Sequence, residues 1–260
     1  MTTLFPPPDA TLLARHAAAE RMPRRAGALR YFEACVDLAN GHKAAQDRVS
    51  EAGRAVETLI RAEVAAEFPE DAFLGEEQGE TAGVSPYLWV VDLIDGATPF
   101  LSGLADGCVS IAVVVADEPV VGIVHAPRHR ETFAAVRGFE GTVNGRPLGL
   151  DPSRSLSDGM FAFGGSLRCD AAATGGFITR LMRAGGIAFH NSWGALMLAY
   201  VADGRLVGYY DEVIMPWDCM AGLALVEAAG GLTRFAGRRD GGPMLAGAPR
   251  VFDAVAPWLD

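Results

Sequence analysis

The residues best placed to do chemistry are acidic. In LWVVDLIDGATPF, Leu88 to Phe100, an apolar run ends on Asp92 and Asp95, three residues apart and followed at once by Gly96, Ala97, Thr98 and Pro99. Two like charges at the end of a buried strand are costly unless a cation neutralises them. Upstream, FLGEEQGE sets Glu76 and Glu77 after a short apolar stretch and a glycine; downstream, MPWDCMAGLALVEAAGG sets Asp218 immediately before a helix. An all-oxygen ligand set of this kind suits a hard cation such as Mg2+ rather than zinc. Taken singly, each has a plainer account: an N-cap for Asp218, a solvated loop for Glu76 and Glu77, a turn for Asp92 and Asp95. The five histidines add no metal reading, since the nearest pair, His125 and His129, lie around a proline after a strand.

The elements that must position these carboxylates follow from the pattern of apolar residues. Helical spacing runs through TLLARHAAAERM, GALRYFEACVDLAN and GRAVETLIRAEVAAEF, so the first third is expected to be mostly helical. YLWVVDLI reads as a short buried strand, and VSIAVVVADEPVVGIVHAP as two strands joined by a turn at Asp117 to Pro119. ETFAAVRG and GTVNGRPL continue an antiparallel pattern, with Asn144-Gly145 as a turn signal. From there the chain alternates: strand GMFAFGG, helix GGFITRLMRAG, helix GALMLAYVADG, strand RLVGYYD, helix DCMAGLALVEAAGG, strand LTRF. The expectation is an α+β lobe over 1–150 carrying most of the ligands and a smaller α/β lobe over 151–260 that completes the site. A cleft between the lobes is the natural place for a small ligand.

Composition narrows the function. A chain of 260 residues, half of them apolar, can bury a substantial core. Its net charge of -10 argues against a general nucleic-acid binder, which needs a basic surface. No apolar run approaches the roughly eighteen residues of a membrane span, and MTTLFPPPDATLLARH lacks the basic and apolar regions of a signal peptide. The four cysteines, Cys35, Cys108, Cys169 and Cys219, are widely spaced and read as reduced core thiols of a cytoplasmic protein.

Taken together and in order, LGEEQG, WVVDLIDGATPFLSG, VSIAVVVADEPVVGIVHAPRHRETFAAVRGFEGTVNGRPL and PWDCMAGLALVEAAGG resemble the inositol monophosphatase family. The family's central motif has the form W-[VI]-[VI]-D-P-[IL]-D-G-T-x-N-F, of which both aspartates, the glycine and the phenylalanine are kept. The resemblance implies a layered α/β/α/β/α sugar-phosphatase fold with a mostly antiparallel N-terminal sheet. It implies Mg2+ held by Glu76, Asp92 and the carbonyl of Ile94 at one position and by Asp92, Asp95 and Asp218 at a second. It matches the amides of Gly96, Ala97 and Thr98 to a phosphate cradle, a task backbone N–H groups perform well. Two cations bridged by a carboxylate stabilise both the entering and the leaving oxygen at phosphorus. A homodimer is common among such proteins and is the expectation here.

The sequence departs from the family at two linked positions. Ala97 stands where a threonine hydroxyl helps place the attacking water, and Gly53 where its aspartate partner belongs; Ala45 replaces a further aspartate. Glu76, with Asp95 beside it and aided by Glu77, is then the remaining catalytic candidate. On the substrate side, Trp193 replaces a small residue and is read either as a stacking surface for the substrate or as interlobe core. Asp211 aligns with an acid that binds a substrate hydroxyl or amine, or is a solvated strand end. Gly164 to Ser166 are read as another cleft wall or as a turn, and His190, which precedes the substrate segment, as lying near the pocket. The reading is Mg2+-dependent hydrolysis of a small phosphorylated metabolite, an inositol phosphate, histidinol phosphate or sugar phosphate, by a metal-activated water. Its alternative is a relative diverted to other chemistry on, or mere binding of, such a metabolite.

Overall fold

A computed structural model of the chain describes residues 9–25, 42–96, 107–166, 168–191, 193–237 and 239–259, with the side chains of 24, 25, 42–52 and 94 left aside. The helix expected in GALRYFEACVDLAN lies outside the described residues.

Helices α1 (Ala10–Arg25) and α2 (His42–Glu67) precede strands β1 (Ala72–Gly75), β2 (Gly79–Thr81), β3 (Tyr87–Asp95), β4 (Cys108–Val115), β5 (Glu118–Ala126), β6 (Glu131–Val136), β7 (Thr142–Val143) and β8 (Arg146–Pro147). These eight strands form one sheet in the order β2-β1-β3-β4-β5-β6-β7-β8, antiparallel except where β1 runs parallel to β3. The remaining elements are β9 (Met160–Phe163), α3 (Ala171–Arg183), β10 (Ile187–Phe189), α4 (Gly194–Ala202), β11 (Gly208–Ile214), α5 (Pro216–Ala228), β12 (Leu232–Phe235), β13 (Gly242–Gly247) and α6 (Pro249–Val255). Their strands make a second sheet, β10-β9-β11-β13-β12, parallel over its first three members and antiparallel over the rest.

Three apolar cores stack these elements into five layers. Alternation along β3 sends Trp89, Val91 and Leu93 to one face, where they pack with Ala18, Met22, Val56 and Ile60 of α1 and α2. Val90 and the facing residues of β4 and β5 meet Leu196 to Val201 of α4 and Cys219 to Val226 of α5 on the other. The far side of the second sheet is covered by Phe177 and Leu181 of α3 and Val251 and Val255 of α6. The order is helices, sheet, helices, sheet, helices. α4 is apolar all round and α5 nearly so, apart from Asp218 and Glu227 near its ends, because they are the filling, covered by a sheet on each side.

Local differences from the expected elements have simple causes. The β4–β5 turn is centred on Ala116 and Asp117, both at positive φ, which places Pro119 inside β5 next to a register irregularity instead of in the turn. The strand expected from Arg205 begins at Gly208, because Arg205 and Leu206 still hydrogen-bond back to Tyr200 at the end of α4. Asn144 and Gly145, both at positive φ, form the β7–β8 turn as their types demand.

Candidate metal and phosphate site

In a regular strand, residues three apart face opposite sides of the sheet. Asp92 and Asp95 would therefore be separated. A bulge prevents this: Asp92 pairs with Ser110 and Asp95 with Cys108, so β3 spends one residue more than β4 over the same interval. The extra residue turns both aspartates toward the middle helical layer, and the backbone of Ile94 lies within the bulge. Asp218 arrives from the first turn of α5, where Pro216 opens the helix and the Asp218 amide bonds back to Met215 O. It is thus inside the helix and not the residue before it, with Met215 in the cap position.

Asp92, Asp95 and Asp218 each bring one carboxylate oxygen to within 4.8 Å of the others. Asp92 and Asp95 are buried and Asp218 half-buried. Burial pushes Asp95 up to about 7, against the opposing pull of the Ala195 amide, the Cys108 thiol and the amides of Gly194 and Leu196. Burial also drives Asp218 well above the carboxylate range, reinforced by the charges of Asp95 and Glu76 and opposed by its hydrogen bond with Asp92. Glu76 is an exposed residue whose carboxyl turns toward Asp92; desolvation raises its pKa, the bond with Asp92 lowers it, and neighbouring Glu77 raises it again. Carboxyl groups this close and this dry are stable as anions only beside a cation. The donor set is all oxygen, so the residues fit a hard divalent ion.

The first amides of α4 hold the site together. Gly194 N donates to Asp95 Oδ1 at 3.2 Å and Ala195 N to Asp95 Oδ2 at 2.8 Å. Trp193 caps that helix in an extended conformation and is 2% exposed. Its pyrrole edge lies on Gly96: a β-carbon built on Gly96 would fall 1.7 Å from Trp193 Cδ1 and 1.9 Å from Nε1. Gly96 itself has φ +94, a second reason for glycine there. Ala97 and Thr98, expected in the phosphate cradle, lie outside the described residues.

Asp211 occupies a separate wall. It is buried, accepts from Tyr209 Oη at 2.9 Å and from Val213 N at 3.1 Å, and its pKa is raised by burial. It is not a solvated strand end. Gly164 lies so close that a β-carbon there would come within 1.8 Å of Asp211 Oδ2, and His190, stacked on Phe163 with ring centroids 5.1 Å apart, faces Gly165. Tyr209 lies between this wall and the clustered aspartates, where burial and the charges of Asp211, Asp95 and Asp218 together keep its phenol protonated. The sequence reading missed Tyr209 and Cys108; the chemistry that gives them meaning lies in strands distant along the chain. A cavity of about 690 Å3 opens on another flank of α5, between Leu88, Val90 and Val114 of the first sheet and Phe235 of the second. None of the three clustered aspartates lines it.

The sequence model of the inositol monophosphatase family matches residues 11–253. The chain belongs to that family. It is 33% identical over 197 residues to an inositol-1-monophosphatase of Synechocystis, covering 72% of this chain and 67% of that one. Against the Nus factor SuhB of Escherichia coli K12 it is 32% identical over 246 residues, 91% of this chain and 92% of the relative. Among solved structures, an inositol monophosphatase from Anabaena superposes with a TM-score of 0.82 at 27% identity, over 96% of each chain. SuhB of Mycobacterium tuberculosis gives 0.81 at 26%, over 96% of this chain and 97% of that one. The five-layered fold is that of the family, and the family member is a phosphoric monoester hydrolase acting on a phosphorylated metabolite.

Proposed function

We propose that this inositol monophosphatase family member hydrolyses a small phosphorylated polyol, sugar or amino alcohol with Mg2+ held by Asp92, Asp95 and Asp218, joined by Glu76 and the Ile94 carbonyl. The observation that carries this reading is the three-aspartate cluster, dry, mutually repelling and made of oxygen alone. Bound there, Mg2+ supplies charge neutralisation for the phosphate and acidifies water. The chain's own residues do the rest. Asp95 is fixed by the α4 amides and cannot rotate away from the cluster. Glu76, at the open rim, is the proposed acceptor of the proton from the attacking water. Amides from Gly96 into Ala97 and Thr98 orient the phosphate, and Asp211, held by Tyr209, takes a hydroxyl or amine of the substrate.

Free thiols at Cys108, Cys169 and Cys219 suit a reducing compartment, so the cytoplasm is the proposed location, and a homodimer the proposed assembly. No described helix is long and apolar enough to cross a membrane. The similarity to proteins called Nus factors favours a second role alongside catalysis, as a member of a protein assembly.

Phosphate release from inositol phosphates, histidinol phosphate, fructose 1,6-bisphosphate and adenosine 3',5'-bisphosphate, with and without Mg2+, tests the reading, with Asp92→Asn as blank. Mg2+-dependent turnover absent from the variant supports it, and the preferred substrate names the activity. Turnover no higher than the blank across the panel rejects it in favour of a binding role.

A further inference from the structure

Two side chains on one face of β4 direct their protons toward the aspartate cluster. Along that strand Cys108, Ser110, Ala112 and Val114 alternate onto the side that meets α4 and α5, and Cys108, Ala112 and Val114 are part of the apolar core there. Ser110 is buried in the middle of this face, and a buried hydroxyl is costly unless it is hydrogen-bonded. Its Oγ donates to Trp217 O at 2.9 Å, in the first turn of α5 and next to Asp218. Cys108 is also buried, and its thiol donates to Asp95 Oδ2 at 3.5 Å.

The register of the sheet explains why these two residues matter. Across the bulge Asp92 pairs with Ser110 and Asp95 with Cys108, so each aspartate of β3 has one of them beside it on β4. Asp95 is reached directly: its Oδ2 receives the thiol from β4 as well as the Ala195 amide from α4, which grips the carboxylate from two elements. Asp218 is reached through the backbone. Ser110 holds the carbonyl of the residue before it, while the Asp218 amide bonds back to Met215 O at 3.1 Å, so its carboxylate leaves a helix turn that is tied to the sheet. Both donors are neutral, and they orient the carboxylates without adding a charge that would compete with a cation.

We propose that Cys108 and Ser110 are positioning residues of the metal site: through them β4 sets the orientation of Asp95 and the place of Asp218 relative to the β3 aspartates, and with these the affinity for Mg2+. This rests on the metal-binding part of the phosphatase reading and deepens it. Neither residue belongs to the ligand cluster itself. Groups that orient metal ligands from behind typically contribute about ten- to a hundredfold in metal affinity. Alanine is already accommodated at 112 on the same face, so truncation at 108 or 110 removes a hydrogen bond from the site more than it disturbs packing.

The test titrates Mg2+ alone, by calorimetry, into the whole protein and into Cys108→Ala, Cys108→Ser, Ser110→Ala and Val114→Ala. Cys108→Ala and Ser110→Ala should each bind Mg2+ about ten- to a hundredfold more weakly while melting in chelator close to the wild type. Cys108→Ser keeps a donor at the same place and should recover most of the loss. Val114→Ala, a truncation on the same face that removes only apolar contacts, should melt lower and bind Mg2+ as the wild type does. In the native protein the infrared S–H stretch of Cys108, one of four cysteines and assigned by its absence in Cys108→Ala, should shift and saturate with Mg2+. If the native protein binds Mg2+ and either alanine variant at 108 or 110 binds it as tightly, or the Cys108 stretch does not respond, the positioning role is wrong and the metal site stands. The role is equally wrong if Cys108→Ser binds as weakly as Cys108→Ala, or if Val114→Ala loses Mg2+ as the others do, which would mean a general loosening of β4. If the native protein binds no Mg2+, the positioning role and the metal site fail together.

Discussion

The Glu77 carboxylate fills the space in front of Gly53: a β-carbon built on Gly53 would lie 3.1 Å from Glu77 Oε1. Gly53 is where the family resemblance calls for an aspartate, so the missing carboxylate has been replaced in space by one from the β1–β2 turn. Glu77 is held there by its own amide, which donates to Glu57 Oε2 at 2.9 Å, and by a long contact from Arg54 Nε at 3.4 Å. Restoring the aspartate alone is therefore not a restoration. Gly53→Ala should be neutral or stabilising, because helix propensity gains about 1 kcal/mol and offsets a tight contact. Gly53→Asp should be about 1 kcal/mol less stable than Gly53→Ala at neutral pH, since it sets one carboxylate against another. In a Glu77→Gln background that difference should vanish. Urea unfolding of the four proteins measures it, and an undiminished difference in the Gln background would show that Glu77 is not the cause.

Asp92 shares hydrogen bonds with both Glu76 and Asp218, at the centre of the acidic cluster. Its role has opposite signs with and without metal. With chelator present, Asp92→Asn removes one of several repelling charges and should melt no lower than the wild type. With Mg2+ at a hundred times its dissociation constant the wild type should gain about 2.7 kcal/mol by mass action, and the variant little or nothing. Melting curves in EDTA and in Mg2+ decide the matter. Equal Mg2+ stabilisation of both proteins would remove the cation from this cluster.

Much of the fold was legible because core strands and helices announce themselves by their apolar runs, which dominate β3, β4, β5, α4 and α5. What escaped has a physical reason in each case. β13, GPMLAG, carries no β-branched residue and is made a strand by its neighbours β11 and β12. The bulge after Asp92 is a pairing event: nothing in DLID reveals that β4 runs one residue short opposite it. Without the resemblance, strict alternation would have put Asp92 and Asp95 on opposite faces. Trp193 could be read as stacking surface or as core from its position alone. Its contact with Gly96 becomes visible only when β3 and α4 are brought together.

The acid limit of stability should be set in part far from the site. Asp71, immediately before β1, accepts two 2.7 Å bonds from the Arg15 guanidinium of α1, one from Ser85 Oγ at 2.6 Å and one from Trp89 Nε1 at 2.9 Å. Burial raises its pKa, but the hydrogen bonds from Arg15, Ser85 and Trp89 outweigh this and hold it below the ordinary carboxylate value. A folded pKa below the unfolded one contributes stability that is complete above about pH 4 and is lost as pH falls through the folded value. Asp71→Asn should flatten that acid limb and, by leaving buried Arg15 without its partner, cost about 3–5 kcal/mol at pH 7. Denaturant midpoints between pH 2 and 7 test both parts, and an acid limb as steep in the variant as in the wild type would place the titrating group elsewhere.

Gly164 offers the sharpest separation of substrate binding from phosphate binding. A β-carbon at this position would fall 1.8 Å from Asp211 Oδ2, which also receives the Tyr209 phenol. The overlap is too deep for relaxation of a few tenths of an ångström. Gly164→Ala should push Asp211 from its place, breaking its bond with Tyr209, whereas Tyr209→Phe removes that bond without displacing Asp211 and leaves its carboxylate free to rotate. If Asp211 grips a hydroxyl or amine of the substrate, Gly164→Ala should raise KM about tenfold or more, the cost of one charge-assisted hydrogen bond. Inorganic phosphate, which lacks the rest of the substrate, should inhibit both proteins equally. Tyr209→Phe should lie between them, because a mobile carboxylate still finds its target part of the time. An unchanged KM in Gly164→Ala, with phosphate inhibition weakened instead, would mean that this wall supports the aspartate cluster and does not choose the substrate.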